Sequence, residues 1–314
     1  MMPPIDTEVT QSTLKSSEAS GYHCPVVEGG RSTRVAAMQL ALTRPRFLDR
    51  YPALPTAAYW VVTIIGAIWC FLIVYGVVGY GLCGNTGTVP CDAYSYWAVD
   101  DTPYTWETNL EYRYSPAFLW IIRPFQPFPF EVFLGIWLAA HIAALIWLRA
   151  GWFLIVPGLN DDVLRGNISV FVALFAVLAI QRSAAWWAPV LLTKITPAVG
   201  IVWHIVRREW RSLGLLFAVT GGIVAIGFII DAGLWRAWFD TLLNADATYE
   251  LGHPLGPLPF RLALGAAVTA YGAWKGRAWL VPIAMLIAVP GLWAFNLALL
   301  AAVPRLIGPR SESG

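Results

Sequence analysis

The side chains that could do chemistry gather in one stretch. Between Cys91 and Pro116 the sequence CDAYSYWAVDDTPYTWETNLEYRYSP holds Asp92, Asp100, Asp101, Glu107 and Glu111 against a single cation, Arg113. Carboxylates set where apolar segments converge are candidate acid/base groups, because partial burial tunes a carboxyl toward taking or giving a proton in a transition state. The same composition also describes a solvated loop on the outer side of a membrane, acidic because the basic residues stay inside. Further polar groups lie in NDDVLRGN (Asp161, Asp162, Arg165, Asn167), in LLTKITP (Lys194) and in ELGHPLG (His253). Tyr94, Tyr96, Trp97 and Trp106 have the ring chemistry of a sugar platform and equally that of an interfacial belt. Asp161 and Asp162 stand side by side without further ligands, which favours a plain polar loop over a divalent-ion site.

These residues need a frame, and composition says what kind. The chain is 58% hydrophobic with 17 Trp in 314 residues, and its mean hydropathy is +0.60. Soluble domains do not reach such values, so the chain reads as an all-α, polytopic membrane helix bundle. A net charge of +2 argues against a nucleic-acid partner, and the Lys and Arg residues fall in short clusters between apolar runs. Four cysteines lack zinc-site spacing. Cys83 and Cys91 bracket GNTGTVP, where a disulfide and two free thiols are equally open.

In chain order, residues 1–55 read as a disordered, basic cytoplasmic tail rather than a secretory signal peptide. Residues 56–305 form the membrane domain and 306–314 a short cytoplasmic tail. A first span from Ala57 to Tyr80 carries the chain outward, and a second starts at Tyr114–Pro116 and is cut short by Pro124, Pro127 and Pro129. A third runs from Glu131 to Leu148, and a seventh from Leu213 to Ile230 is followed by a second outer loop from Asp231 to Pro259. The positive-inside rule favours two short helices meeting near Lys194 and Pro197 over one crossing, since both Arg182 and the Arg207/Arg208/Arg211 cluster then stay inside. The last apolar run breaks at Pro290 and Gly291. About ten crossings result, with both termini cytoplasmic. Nearly every notable polar residue then projects to the outer side while mid-span positions are apolar, which suits chemistry at one membrane surface better than a transport path.

Several segments resemble one family, the polyprenol-phosphate-mannose-dependent mannosyltransferases of actinobacterial type within the GT-C glycosyltransferase superfamily. DAYSYW is similar to the Asp-x-x-x-Tyr motif of their first outer loop, through Asp92 and Tyr96. RYSPAFLWIIRPFQPFPFEVFLGIW resembles their Tyr-Pro helix start and Pro-rich turn, beginning at Tyr114. RGNISVFVALFAVLAI resembles their Gly-Gln/Asn helix start through Gly166 and Asn167, and LLTKITPAVGIVWHIVRREWRSL their Lys-x-Thr-Pro helix through Lys194, Thr196 and Pro197. The likeness covers Asp92 to Leu213 and returns at VPGLWAFN, where Phe295 stands in place of the family's histidine.

The resemblance implies a GT-C fold in the cell membrane with its active site on the extracytoplasmic face. Mannose or a related hexose would pass from a polyprenyl phosphate donor to a glycolipid or glycan acceptor, with inversion; the sequence itself points to no cofactor and to no metal-ligating residues. Asp92 would be the general base. Lys194, with Arg113 and Arg165, would meet the donor phosphate, and Tyr96, Trp97, Tyr114, Asn167 and His253 would contact substrate. The rival classes are a non-catalytic membrane scaffold or diverged pseudoenzyme, and a transporter or lipid flippase.

Overall fold

The computed structural model describes residues 54–79, 91–101, 103–104, 112–244 and 256–307, all but Leu54 within the compact unit Pro55–Gly314. Cys83, Trp106, Glu107, Glu111 and His253 lie outside the described residues. Among the described residues every regular element is helical, α or 3-10, with turns and irregular links between them.

Helix α1 (Leu54–Gly79) is 26 residues of almost unbroken hydrophobic sequence, about 39 Å at 1.5 Å per residue. It precedes a short helix, α2 (Cys91–Trp97). Helix α3 (Pro116–Ile122) starts on a proline, whose missing N–H is an orphan of the first turn in any case. A 3-10 turn over Arg123–Phe125 and Pro129 at the next N-cap reverse the chain into α4 (Phe130–Trp147). Helix α5 (Asp161–Arg165) ends on Gly166, and α6 (Ser169–Gln181) follows at once.

The segment around Lys194 is broken: α7 (Ala188–Leu191) and α8 (Val202–Val206) flank it, with a 3-10 stretch Thr196–Ile201 between. Then come α9 (Trp210–Leu243), α10 (Leu258–Lys275) and α11 (Leu280–Ala288). A 3-10 run Ala294–Ala302 leads into α12 (Val303–Ile307).

Pro55–Gly76, Phe130–Trp147 and Trp210–Leu243 are long and apolar enough to cross a membrane as single helices. Shorter apolar pieces, Ser169–Gln181, Thr196–Val206 and Ala294–Ile307, fall below the roughly 20 residues that one crossing requires.

One expectation is corrected. The outer loop placed after Ile230 is helical as far as Leu243, because α9 resumes beyond a break at Asp231 (φ −152°, ψ 84°). Asp231 Oδ1 accepts the N–H of Leu234 at 2.9 Å, restarting the helix as an N-cap does. Trp235 and Trp238 then bury against Leu192.

Candidate functional site

Helices α2, α5 and α6 and the Lys194 connection meet at one end of the bundle, and the meeting is set by close packing at Gly166. Its φ of +69° favours glycine, and a Cβ there would lie 2.5 Å from the Cβ of Ala93. Helix α2 therefore sits flush on the turn between α5 and α6, with Asp92 beside Asn167. Trp137 of α4 locks the turn by donating its indole N–H to the Gly166 carbonyl at 2.8 Å.

The polar cluster is continuous. Asn167 Nδ2 donates to Asp92 Oδ2 at 2.8 Å. Lys194 Nζ donates to Asn167 Oδ1 at 2.6 Å and to Ser169 Oγ at 2.7 Å. Beneath them Asp162, fully buried, accepts the N–H groups of Ser169 (2.9 Å) and Val170 (3.0 Å), capping the first turn of α6. His141 of α4, also fully buried, sets Nε2 2.6 Å from the Asn167 carbonyl and Nδ1 2.8 Å from the Trp137 carbonyl. Its Nε2 is 3.6 Å from Asp162 Oδ2. Phe295, from the 3-10 run after the Pro290–Gly291 break, offers its ring face to the Lys194 ammonium at 4.9 Å, within cation–π range.

Burial raises the Asp92 carboxyl above its ordinary range, while the Asn167 bond and the Lys194 and Arg165 charges pull it back down. The result is a carboxylate that is partly desolvated yet kept ionisable by two cations and an amide.

The residues expected from sequence fall into three groups. Asp92, Asn167 and Lys194, separated by 75 and 27 positions in the chain, are joined by the bonds above. Tyr96, Tyr114 and Arg165 border them. The hydroxyls of Tyr96 and Tyr114 are 2.9 Å apart, and Arg165 Nε pairs with Asp161 Oδ2 at 3.0 Å. Tyr96 is only 2% exposed, so it backs Tyr114 rather than offering a ring face. In the third group Trp97 makes a bond outside the cluster, donating its indole N–H to the Phe128 carbonyl, and the main-chain carbonyl of Arg113 accepts the Trp238 indole N–H. Asp101 is almost fully exposed and pairs with Arg123, the solvated role considered for the loop acids.

Asp162, Ser169, His141 and Phe295 were not among the site residues expected from sequence. Asp162 is a correction, since the plain polar loop read for Asp161 and Asp162 is for Asp162 a buried helix cap. An acid seven residues ahead of the first apolar turn was the available signal. Nothing local marks His141. Among the described residues no three His, Cys, Asp or Glu side chains converge on a point that would suit a metal ion.

Beside the cluster is an apolar cavity of about 530 Å³, lined by Phe118, Trp137, Ile168, Phe171, Leu192 and Thr193 among others. Ile168 and Thr193 on its wall are the chain neighbours of Asn167 and Lys194.

Apolar spans and broken helices define a membrane protein, with an acid–amide–ammonium cluster near a hydrophobic cavity. Its family follows from sequence comparison: residues 112–308 match glycosyltransferase family 87, and the chain belongs to that family. Asp92 lies ahead of the matched segment. A curated relative from Mycolicibacterium smegmatis (strain ATCC 700084 / mc(2)155) is named polyprenol-phosphate-mannose-dependent alpha-(1-2)-phosphatidylinositol pentamannoside mannosyltransferase. It is 26% identical over 224 residues, which is 61% of this chain and 54% of the relative. The chain thus spans about half the length of that relative. No solved structure matches.

Proposed function

We propose that the chain is an integral membrane glycosyltransferase that moves mannose or a related hexose from a polyprenyl phosphate donor to a glycolipid or glycan acceptor. The transfer takes place on the extracytoplasmic face of the cell membrane and inverts the anomeric centre. Membership of family 87 and the name of the mycobacterial relative support the reaction class and the donor. The observation that carries the reading is that Asp92 and Lys194 belong to one hydrogen-bonded cluster, whose chain neighbours Ile168 and Thr193 wall an apolar cavity.

In this reaction an acceptor hydroxyl attacks the anomeric carbon as its proton passes to Asp92. The bond from that carbon to the phosphate oxygen breaks, and the polyprenyl phosphate leaves with the electron pair. Asp92 keeps Oδ1 for the incoming hydroxyl, because Oδ2 is engaged by Asn167. Lys194, with Arg165 nearby, meets the charge growing on the phosphate, and a preplaced cation in a site of low dielectric is often the larger part of catalysis. The isoprene units next to the phosphate lie in the apolar cavity, whose size falls within the usual 300–1,000 Å³ for ligand sites. Tyr114 and Arg165 border the sugar.

The test is transfer of labelled mannose from polyprenyl phosphate mannose to phosphatidylinositol mannosides by the purified chain. A labelled product of one added hexose is expected. Absence of transfer with every polyprenyl phosphate sugar, together with stable co-purification of a second glycosyltransferase, points instead to a scaffold.

A further inference from the structure

Asn167 sits between the Lys194 ammonium and the Asp92 carboxylate and bonds to both. An ammonium only donates, so the atom of Asn167 facing Lys194 Nζ at 2.6 Å is the amide oxygen. The amide nitrogen therefore faces Asp92 and donates to Oδ2 at 2.8 Å. The amide cannot rotate away. Its oxygen also accepts the Ile168 N–H at 2.8 Å and the Ser169 hydroxyl at 3.1 Å. Its own main chain is held at both ends, with the N–H on the Asp162 carbonyl at 2.9 Å and the carbonyl against His141 at 2.6 Å. One rigid, polarisable group thus spans the cation and the carboxylate.

We propose that Asn167 is a positioning residue that transmits the state of the phosphate end of the site, Lys194, to the base end, Asp92. The inference rests on the reading of Lys194 as the phosphate contact and of Asp92 as the base. A bare ammonium on the amide oxygen draws electron density from the nitrogen, strengthens its N–H bond to Asp92 and so weakens Asp92 as a base. A donor phosphate on Lys194 neutralises that pull, and Asp92 regains basicity once the sugar to be transferred is in place. The other charged or titratable groups around Asp92 are Arg165 and Asp161 on α5, Tyr96 and Tyr114 at its side, and Asp162 and His141 below. None of these bridges Lys194 and Asp92 through a single amide.

The experiment is an infrared titration of the Asp92 carboxyl in the purified full chain, isolated as the difference between wild type and Asp92→Asn. It is run with and without saturating undecaprenyl phosphate. The wild-type midpoint is expected to rise by about one pH unit with the lipid phosphate, a tenfold gain in proton affinity. In Asn167→Leu the rise falls to less than half, leaving the direct effect of charge neutralisation. Asn167→Ala behaves in the same way if the leucine variant does not fold, and Asn167→Gln, which restores an amide, recovers part of the rise. An unmoved wild-type midpoint, or a full rise in Asn167→Leu and Asn167→Ala, overturns the proposal. Transfer of mannose is scored separately. A normal infrared response without transfer sinks the glycosyltransferase reading, and transfer with an unmoved midpoint sinks only the relay.

Discussion

At the scale of single residues the account rests on an acid and a cation whose environments oppose each other. Burial holds the Asp92 carboxyl above its ordinary value of 3.8, and a base acts only when ionised. Activity is therefore lost as pH falls through a midpoint that lies above 3.8, a limb read from the pH dependence of kcat/KM. Lys194→Met removes a preplaced charge from the developing phosphate. It is expected to lower kcat by about 10²–10³, the usual cost of removing one such electrostatic contact. Steady-state kinetics check this, and a change confined to KM would show that Lys194 binds donor and transition state equally. Three members of this cluster were legible in the sequence as polar residues that an apolar chain has little reason to keep. Ser169 was not, because a serine is unremarkable until the fold places it against the ammonium, and Phe295 stood out only as a departure from the family's histidine, with no hint that its ring meets Lys194.

At the scale of elements, helix endings position the site. Gly166 ends α5 in the left-handed region and lets α2 lie against the turn that presents Asn167. Gly166→Ala is expected to cost about 1–2 kcal/mol for the backbone conformation alone. The collision with Ala93 adds to this by pushing α2, and Asp92 with it, away from Asn167. A lowered Tm together with a larger loss of kcat than of expression would record both effects, and an unchanged turnover would show that α2 need not sit so close. Proline and glycine made the broken helices readable in advance, as at Pro124 to Pro129 and at Pro290–Gly291. The continuation of α9 past Ile230 was hidden, because its polar residues read as a loop while the cap by Asp231 and the burial of Trp235 and Trp238 depend on tertiary neighbours. His141 was hidden for a related reason, since a histidine on an apolar helix gains meaning only from the carbonyls it faces.

At the scale of the whole molecule, the described bundle divides its labour between spans and half-helices. Long spans such as α1 and α4 supply apolar surface, while the short segments around Lys194 and Phe295 bring polar side chains together, with the apolar cavity walled by their neighbours Leu192 and Thr193. That cavity predicts its own test. Ala140→Trp, placed on its wall, should raise KM for a long-chain polyprenyl phosphate mannose by about tenfold, the scale of 1.4 kcal/mol of lost apolar contact. It should leave a donor with a much shorter chain less affected, because such a donor uses less of the wall. Equal sensitivity of both donors would move the isoprene chain elsewhere.

The most direct measurement of the central claim is transfer by Asp92→Asn in purified form, beside wild type and at matched thermal stability. Asparagine keeps the shape of the side chain, and since burial raises the Asp92 carboxyl, replacing it by a neutral group should not weaken the fold near neutral pH. The account predicts a loss of about 10³-fold or more in kcat, as for removal of a group that acts in the transition state, with polyprenyl phosphate binding retained. Turnover within a factor of about three of wild type would contradict it.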